Sequence, residues 1–138
     1  MTGSYESLFY ANYETNPFTI GDIADQRLDH AQFAYLSACN AAKTDDEELW
    51  NESVHLSGAC LLAGFSSVVG TLWFIGDSGE SSVKVSKEFY SGFVKSSGEI
   101  NLENAANCLH KAVRFMRESQ RKRFYDPLNW APYIHVGN

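Results

Sequence analysis

Cys39 closes an apolar run, Phe33-Ala34-Tyr35-Leu36-Ser37-Ala38-Cys39-Asn40, in which large side chains give way abruptly to two small residues, a thiol and an amide. A thiol attacks carbonyl carbon when a base or a positive field holds it as thiolate, and it is inert among hydrocarbon groups. What marks Cys39 is its place at the end of a strand-like run with a hydrophilic loop, Asn40 to Asp46, directly after it. The other two cysteines, Cys60 and Cys108, fall inside helical patterns and read as core. A cysteine nucleophile also needs a histidine within hydrogen-bonding reach. His30 precedes Cys39 along an extended segment, which at about 3.3 Å per residue puts it near the opposite edge of a sheet. His55 and His110 lie in helical patterns with polar neighbours and read as surface or structural groups. His135, near the end of the last strand pattern, is the one histidine that this spacing leaves open. Ser37 has no Gly-x-Ser-x-Gly elbow around it, and none of the ten glycines forms a phosphate-cradling strand-to-helix turn. Serine-hydrolase and nucleotide-dependent chemistry are therefore not supported, and no cofactor or metal-ligand set is indicated.

The elements that must position Cys39 follow from the periodicity. Leu8-Phe9-Tyr10 reads as a short strand ended by Asn12 to Pro17, and Thr19 starts a short helix through Ile20, Ile23 and Ala24 with Asp22 in its first turn. The run from Phe33 reads as a buried parallel strand. Glu47 to Ala63 reads as a helix, because Leu49, Leu56 and Cys60 recur with Trp50, Val54 and Leu61 at spacings of three and four, and Gly64 supplies its stop. Ser66 to Trp73 is a second buried strand, rich in β-branched residues, and the strand, helix, strand order implies a parallel right-handed crossover. Chemistry in open α/β sheets sits at the carboxyl ends of the strands, so Trp73 to Asp77 is expected beside Cys39. Asp77 with Glu80 has the pattern of a capping box, although Asp replaces the usual Ser or Thr. A helix carrying Val83, Phe89, Tyr90, Phe93 and Val94 ends at Ser96-Ser97-Gly98. Asn101 is placed to cap another, in which Leu102, Ala105, Ala106, Leu109, Val113 and Met116 share a face and whose far end is basic. Asp126-Pro127 breaks it, and Trp130 to Val136 reads as a last short strand.

The whole is one modest domain of 138 residues, with 44% hydrophobic and 20% charged residues, the balance of a chain that buries a core. Acidic residues outnumber basic ones 17 to 11, for a net charge of -6, so neither an extended phosphate-binding face nor a nucleic-acid partner is expected. Three cysteines without a disulfide framework fit a reducing compartment. Neither a secretory leader nor a membrane-length apolar run is seen, so a cytoplasmic protein is expected.

Six ordered segments resemble a known family: Leu36-Ser37-Ala38-Cys39; Asn51 to Leu56; Ala63-Gly64-Phe65; Val68 to Trp73 with Asp77; Glu88-Phe89-Tyr90; and Trp130 to Gly137. Together they look like the carboxyl-terminal part of a CHAT domain, a caspase-like cysteine peptidase domain commonly found behind tetratricopeptide or other helical repeats. The resemblance implies a caspase-like three-layer α/β sandwich with a mostly parallel sheet, and Cys39 in the nucleophile's position. It also implies a histidine and an oxyanion-hole glycine from a His-Gly motif on the preceding core strand, and neither is present here. The expectation is a truncated endopeptidase domain lacking its amino-terminal strands, with Trp73 and Asp77 lining a groove for a protein or peptide substrate. The upstream half of the domain and helical-repeat segments are its expected partners, and without them the chain should be poorly soluble. The alternative is an inactive, CHAT-like protein-interaction module.

Overall fold

The computed structural model describes residues 20–36, 52–73, 75, 80–119 and 126–138, with residues 20 and 52–55 described for their backbone alone. In chain order the elements are α1 (Ile20–Ala24), β1 (Phe33–Tyr35), α2 (Glu52–Ala63), β2 (Ser67–Thr71), α3 (Glu80–Phe93), α4 (Ala105–Ser119) and β3 (Tyr133–Gly137). Single 3-10 turns at Leu102–Asn104 and Pro127–Asn129 lead into α4 and β3.

The three strands form one sheet in the order β1-β2-β3. β1 and β2 run parallel, with Phe33 opposite Ser67 and Tyr35 opposite Val69, as the intervening helix requires. β3 runs antiparallel to β2, so the described sheet is mixed and not mostly parallel. The reason is topological: α4 delivers the chain to the carboxyl end of β2 through the Pro127–Asn129 turn, and the last strand then runs back along its neighbour. All five residues of β2 are buried, which is why it reads as a continuous apolar run with no alternation.

Strand alternation divides the sheet into two faces. One face carries Phe33, Tyr35, Val69 and Tyr133, and packs on Val85, Phe89 and Phe93 of α3 with Ala105, Cys108, Leu109, Ala112 and Met116 of α4. These helical residues recur at three and four, so each helix lays one stripe on the sheet. Gly92 lets the two helices close up, since a methyl group there would stand 3.3 Å from Cys108 Sγ. The other face meets α2 at Gly70, where a methyl group would come within 3.1 Å of Ser57 Oγ. Helices thus cover both faces, and the architecture is α/β.

Gly64 ends α2 as its sequence position predicts. Its φ is +116°, its N–H donates to Leu61 O at 3.1 Å, and the N–H of Phe65 donates to Cys60 O at 3.0 Å. This pair of bonds caps the last carbonyls of the helix. Leu28 N–H then reaches Ala63 O at 2.6 Å and fixes the entry to β1 against the end of α2.

Other expectations need correction. Asn101 precedes a 3-10 turn and makes no side-chain cap bond; α4 proper begins at Ala105. α3 ends at Phe93, before the Ser96-Ser97-Gly98 turn, because Val94 pairs with Ile100 and the Lys95–Glu99 hairpin occupies the space between. The last strand starts at Tyr133, since Asp126 caps the Pro127–Asn129 turn by accepting from Leu128 N–H and holds the preceding residues out of the ladder. The strand expected at Leu8–Tyr10, Thr19 at the start of α1, and residues 47–51 of the second helix lie outside the described residues. Among the described residues no helix is long and apolar enough to cross a membrane.

Candidate functional site

The candidate site lies at the carboxyl ends of β1 and β2. Pairing continues one residue past β1, with Leu36 N–H donating to Val69 O at 2.8 Å. Beyond Leu36 come Ser37 to Asn40, so Cys39 itself lies outside the described residues, as does Asp77. On the adjacent strand the chain leaves the sheet at Leu72 and Trp73. Leu72 N–H donates to Pro132 O at 2.9 Å, and the Trp73 indole N–H donates to Leu128 O at 3.1 Å. Trp73, half-buried, is therefore pinned to the turn that opens β3, and Ile75 behind it is buried. Of the three residues singled out from the sequence, Trp73 is the one among the described residues, two positions past the end of β2.

β1 is held from below by aromatic rings. Phe33 stacks on Phe89 at 5.6 Å between centroids and tilts against Phe93 at 4.4 Å. Tyr35 lies 5.4 Å from Phe89 and 5.5 Å from Tyr90. Offset and tilted pairs at these separations are attractive beyond their buried area. A three-residue strand has few ladder bonds, and this packing is what fixes the direction in which it leads the chain toward Cys39.

His135, which its spacing left open as a base, is directed elsewhere. It sits opposite Val69 in the antiparallel register, and its Nε2 lies 2.9 Å from Ser67 Oγ at the amino end of β2. Ser67 is fully buried, and burial lowers the pKa of His135 below the ordinary imidazole value. The ring ties two strands together at the amino end of β2. His30 is exposed in the turn that precedes β1, again at the amino end, and His110 is exposed on α4. The side chain of His55 is not among those described. No described histidine side chain stands at the carboxyl rim.

The Ser67–His135 contact was not read from the sequence. Which residue of β2 neighbours His135 depends on the direction and register of β3, and nothing local in Trp130 to Gly137 states either.

Cys60 and Cys108 are buried, and burial raises both thiol pKa values; at Cys108 the nearby Lys111 opposes the rise. Both are packing residues, as expected. The basic end of α4 is partly engaged: Arg114 pairs with Glu118 at 2.9 Å, and the Arg117 guanidinium lies 5.9 Å from the centre of the Trp130 ring. Among the described residues no group of three His, Cys, Asp or Glu side chains could hold a metal ion.

A mixed sheet of three described strands with helices on both faces defines a mixed α/β domain. The family model described as CHAT domain matches residues 3–138, and the chain belongs to that family, which is caspase-like and peptidase-related. Comparison with curated proteins and with solved structures gave no match.

Proposed function

We propose that the chain is the nucleophile-bearing part of a caspase-like cysteine endopeptidase domain, in which Cys39 attacks a peptide carbonyl and Trp73 and Asp77 border the substrate groove. The fold we infer is the caspase-like three-layer sandwich, with further strands beyond the three described. The observation that carries the reading is the parallel β1–β2 pair, with Cys39 three residues after Leu36 in the sequence and Trp73 just past the carboxyl end of β2, in a member of the CHAT-domain family. The positions of His30, His110 and His135 support a division of labour in which the base is contributed by polypeptide outside this sequence. A strand ending in His-Gly, laid beside β1, would bring an imidazole to the thiol and a backbone N–H to the oxyanion. Asp77 either caps α3 or selects a basic side chain of the substrate. The partners of such a domain are a protein or peptide substrate, the upstream half of the domain and helical-repeat segments, in the cytoplasm.

A second reading is a CHAT-like protein-interaction module without catalysis, and the same histidine positions favour it for this chain taken alone. The polypeptide encoded directly before Met1, joined to this chain, tests both. If it supplies His-Gly and the joined protein hydrolyses peptides, with activity lost in Cys39→Ala, the peptidase reading stands. A joined protein that binds peptides but does not hydrolyse them, with binding unchanged in Cys39→Ala, leaves the interaction module.

A further inference from the structure

The turn that opens β3 stands at the carboxyl end of β2 and presents a large apolar side chain that the core does not use. Leu128, in the middle of that turn, is 60% exposed. An exposed leucine by itself is ordinary, but this one is held through both its N–H and its carbonyl. The N–H donates to Asp126 Oδ1 at 3.0 Å, and the carbonyl oxygen accepts from the Trp73 indole N–H at 3.1 Å. The frame around it is fixed as well. Trp130 N–H donates to Pro127 O at 3.2 Å and Ala131 N–H to the same oxygen at 2.8 Å, while the carbonyl of the buried Pro132 accepts from Leu72 N–H at 2.9 Å. Leu128 would have to break bonds to two other residues before it could fold back and bury its side chain.

We propose that Leu128 is a specificity-determining contact of the substrate groove and reads an apolar side chain of the peptide. The inference rests on the reading of this end of the sheet as a peptide groove bordered by Trp73, and it narrows the substrate class to peptides with a leucine-, methionine- or phenylalanine-like side chain where they meet this turn. Trp73 is half-buried and its indole edge is bonded to residue 128, so ring and leucine are neighbours on the segment that leaves β2 and the segment that enters β3. Apolar contact offered by two segments of fixed backbone suits a hydrocarbon side chain, because little further ordering is required on binding. Within the turn Pro127, Leu128 and Asn129 are uncharged, and the Asp126 carboxylate accepts the Leu128 N–H. A charged side chain brought against Leu128 would lose water and gain no partner there. Asp126 is then a positioning residue, acting on the peptide through the turn it caps.

Selection from a randomised peptide library tests this, on the joined protein carrying Cys39→Ala so that bound peptides are not consumed. Retained peptides should share an apolar side chain at one position. Leu128→Asp should cut that preference by about tenfold or more and admit lysine or arginine there, with preferences at other positions and the circular dichroism unchanged. Asp126→Ala should broaden the preference at the same position, and Asp126→Asn, whose side-chain oxygen still accepts the Leu128 N–H, should restore it; selection unchanged in Asp126→Ala overturns the positioning role. Leu62→Asp, 77% exposed at the end of α2 that leads into the amino end of β2, should retain the wild-type peptides. No retained peptide, no apolar preference, a preference that Leu128→Asp leaves unchanged, or an equal loss in Leu62→Asp overturns the inference. Cleavage by the joined protein with Cys39 intact is scored separately. Peptides cut with a preference indifferent to Leu128 keep the peptidase reading and sink this inference, whereas peptides retained through Leu128 but never cut do the reverse.

Discussion

Replacing Phe89 by alanine should do more harm than any other single truncation on α3. The ring is fully buried, and it touches both ends of β1 and its own helix: Phe33 at 5.6 Å, Tyr35 at 5.4 Å, Phe93 at 4.9 Å and, edge-on, Tyr90 at 5.3 Å. Removing a buried phenylalanine side chain costs about 3–5 kcal/mol, because the transfer energy of the ring is lost and the cavity closes only in part. Four ring neighbours from two elements place this site toward the upper part of that range. A domain of this size is stable by roughly 5–15 kcal/mol, so the variant loses a large fraction of its stability, equivalent to a fall in Tm of roughly 10–25 °C. The assay is reversible urea or thermal unfolding followed by circular dichroism, with Val83→Ala on the same helix as control. Val83 is 66% exposed, and its truncation should stay within about 0.5 kcal/mol of the wild type. If Phe89→Ala costs no more than Val83→Ala, α3 is not packed beneath β1 and the support argued for the candidate site is wrong.

Two further outcomes follow from the same packing. Burial lowers the pKa of His135 in the folded chain below its ordinary value of about 6.5, so the unfolded chain binds the proton more tightly there; stability from this group is full above that value and is lost as the pH falls below it. Urea midpoints measured from pH 8 to pH 5 should show this decline, and His135→Gln should flatten it; an equal decline in the variant would assign the effect to other groups. Gly64→Ala should destabilise by more than about 1 kcal/mol, because φ there is +116° and the new methyl group would meet the Leu28 carbonyl oxygen; an unchanged melting temperature would mean that the end of α2 does not hold the entry to β1.

The legible parts of the fold are those where one local signal dominates. The spacing of Leu56, Cys60 and their neighbours with Gly64 behind them defined the second helix and its stop, and the burial of all of β2 matches an apolar run too continuous for a half-exposed strand. A parallel β1–β2 pair followed from the helix between them. The direction of β3 did not, because whether a strand returns or crosses over depends on where α4 ends in space. That single unknown hid the Ser67–His135 tie, which joins residues far apart in the chain, and left His135 open as a base. Asn101 carries a strong capping signal, yet the residues directly after it form a 3-10 turn and α4 starts at Ala105. The aromatic support of β1 was written in Phe89, Tyr90 and Phe93, but only the register of Phe33 and Tyr35 shows that these rings lie beneath the strand that leads to Cys39.

The central claim, that Cys39 is presented as a reactive thiol while the other two cysteines serve packing, is tested most directly by timed alkylation of the native chain with iodoacetamide, read site by site by mass spectrometry. Cys60 and Cys108 are buried and their thiols are held in the protonated form. The account predicts that Cys39 is modified first and that the other two react only at the rate of unfolding. Modification of Cys60 or Cys108 as fast as Cys39, or a Cys39 that reacts only after denaturation, would contradict it.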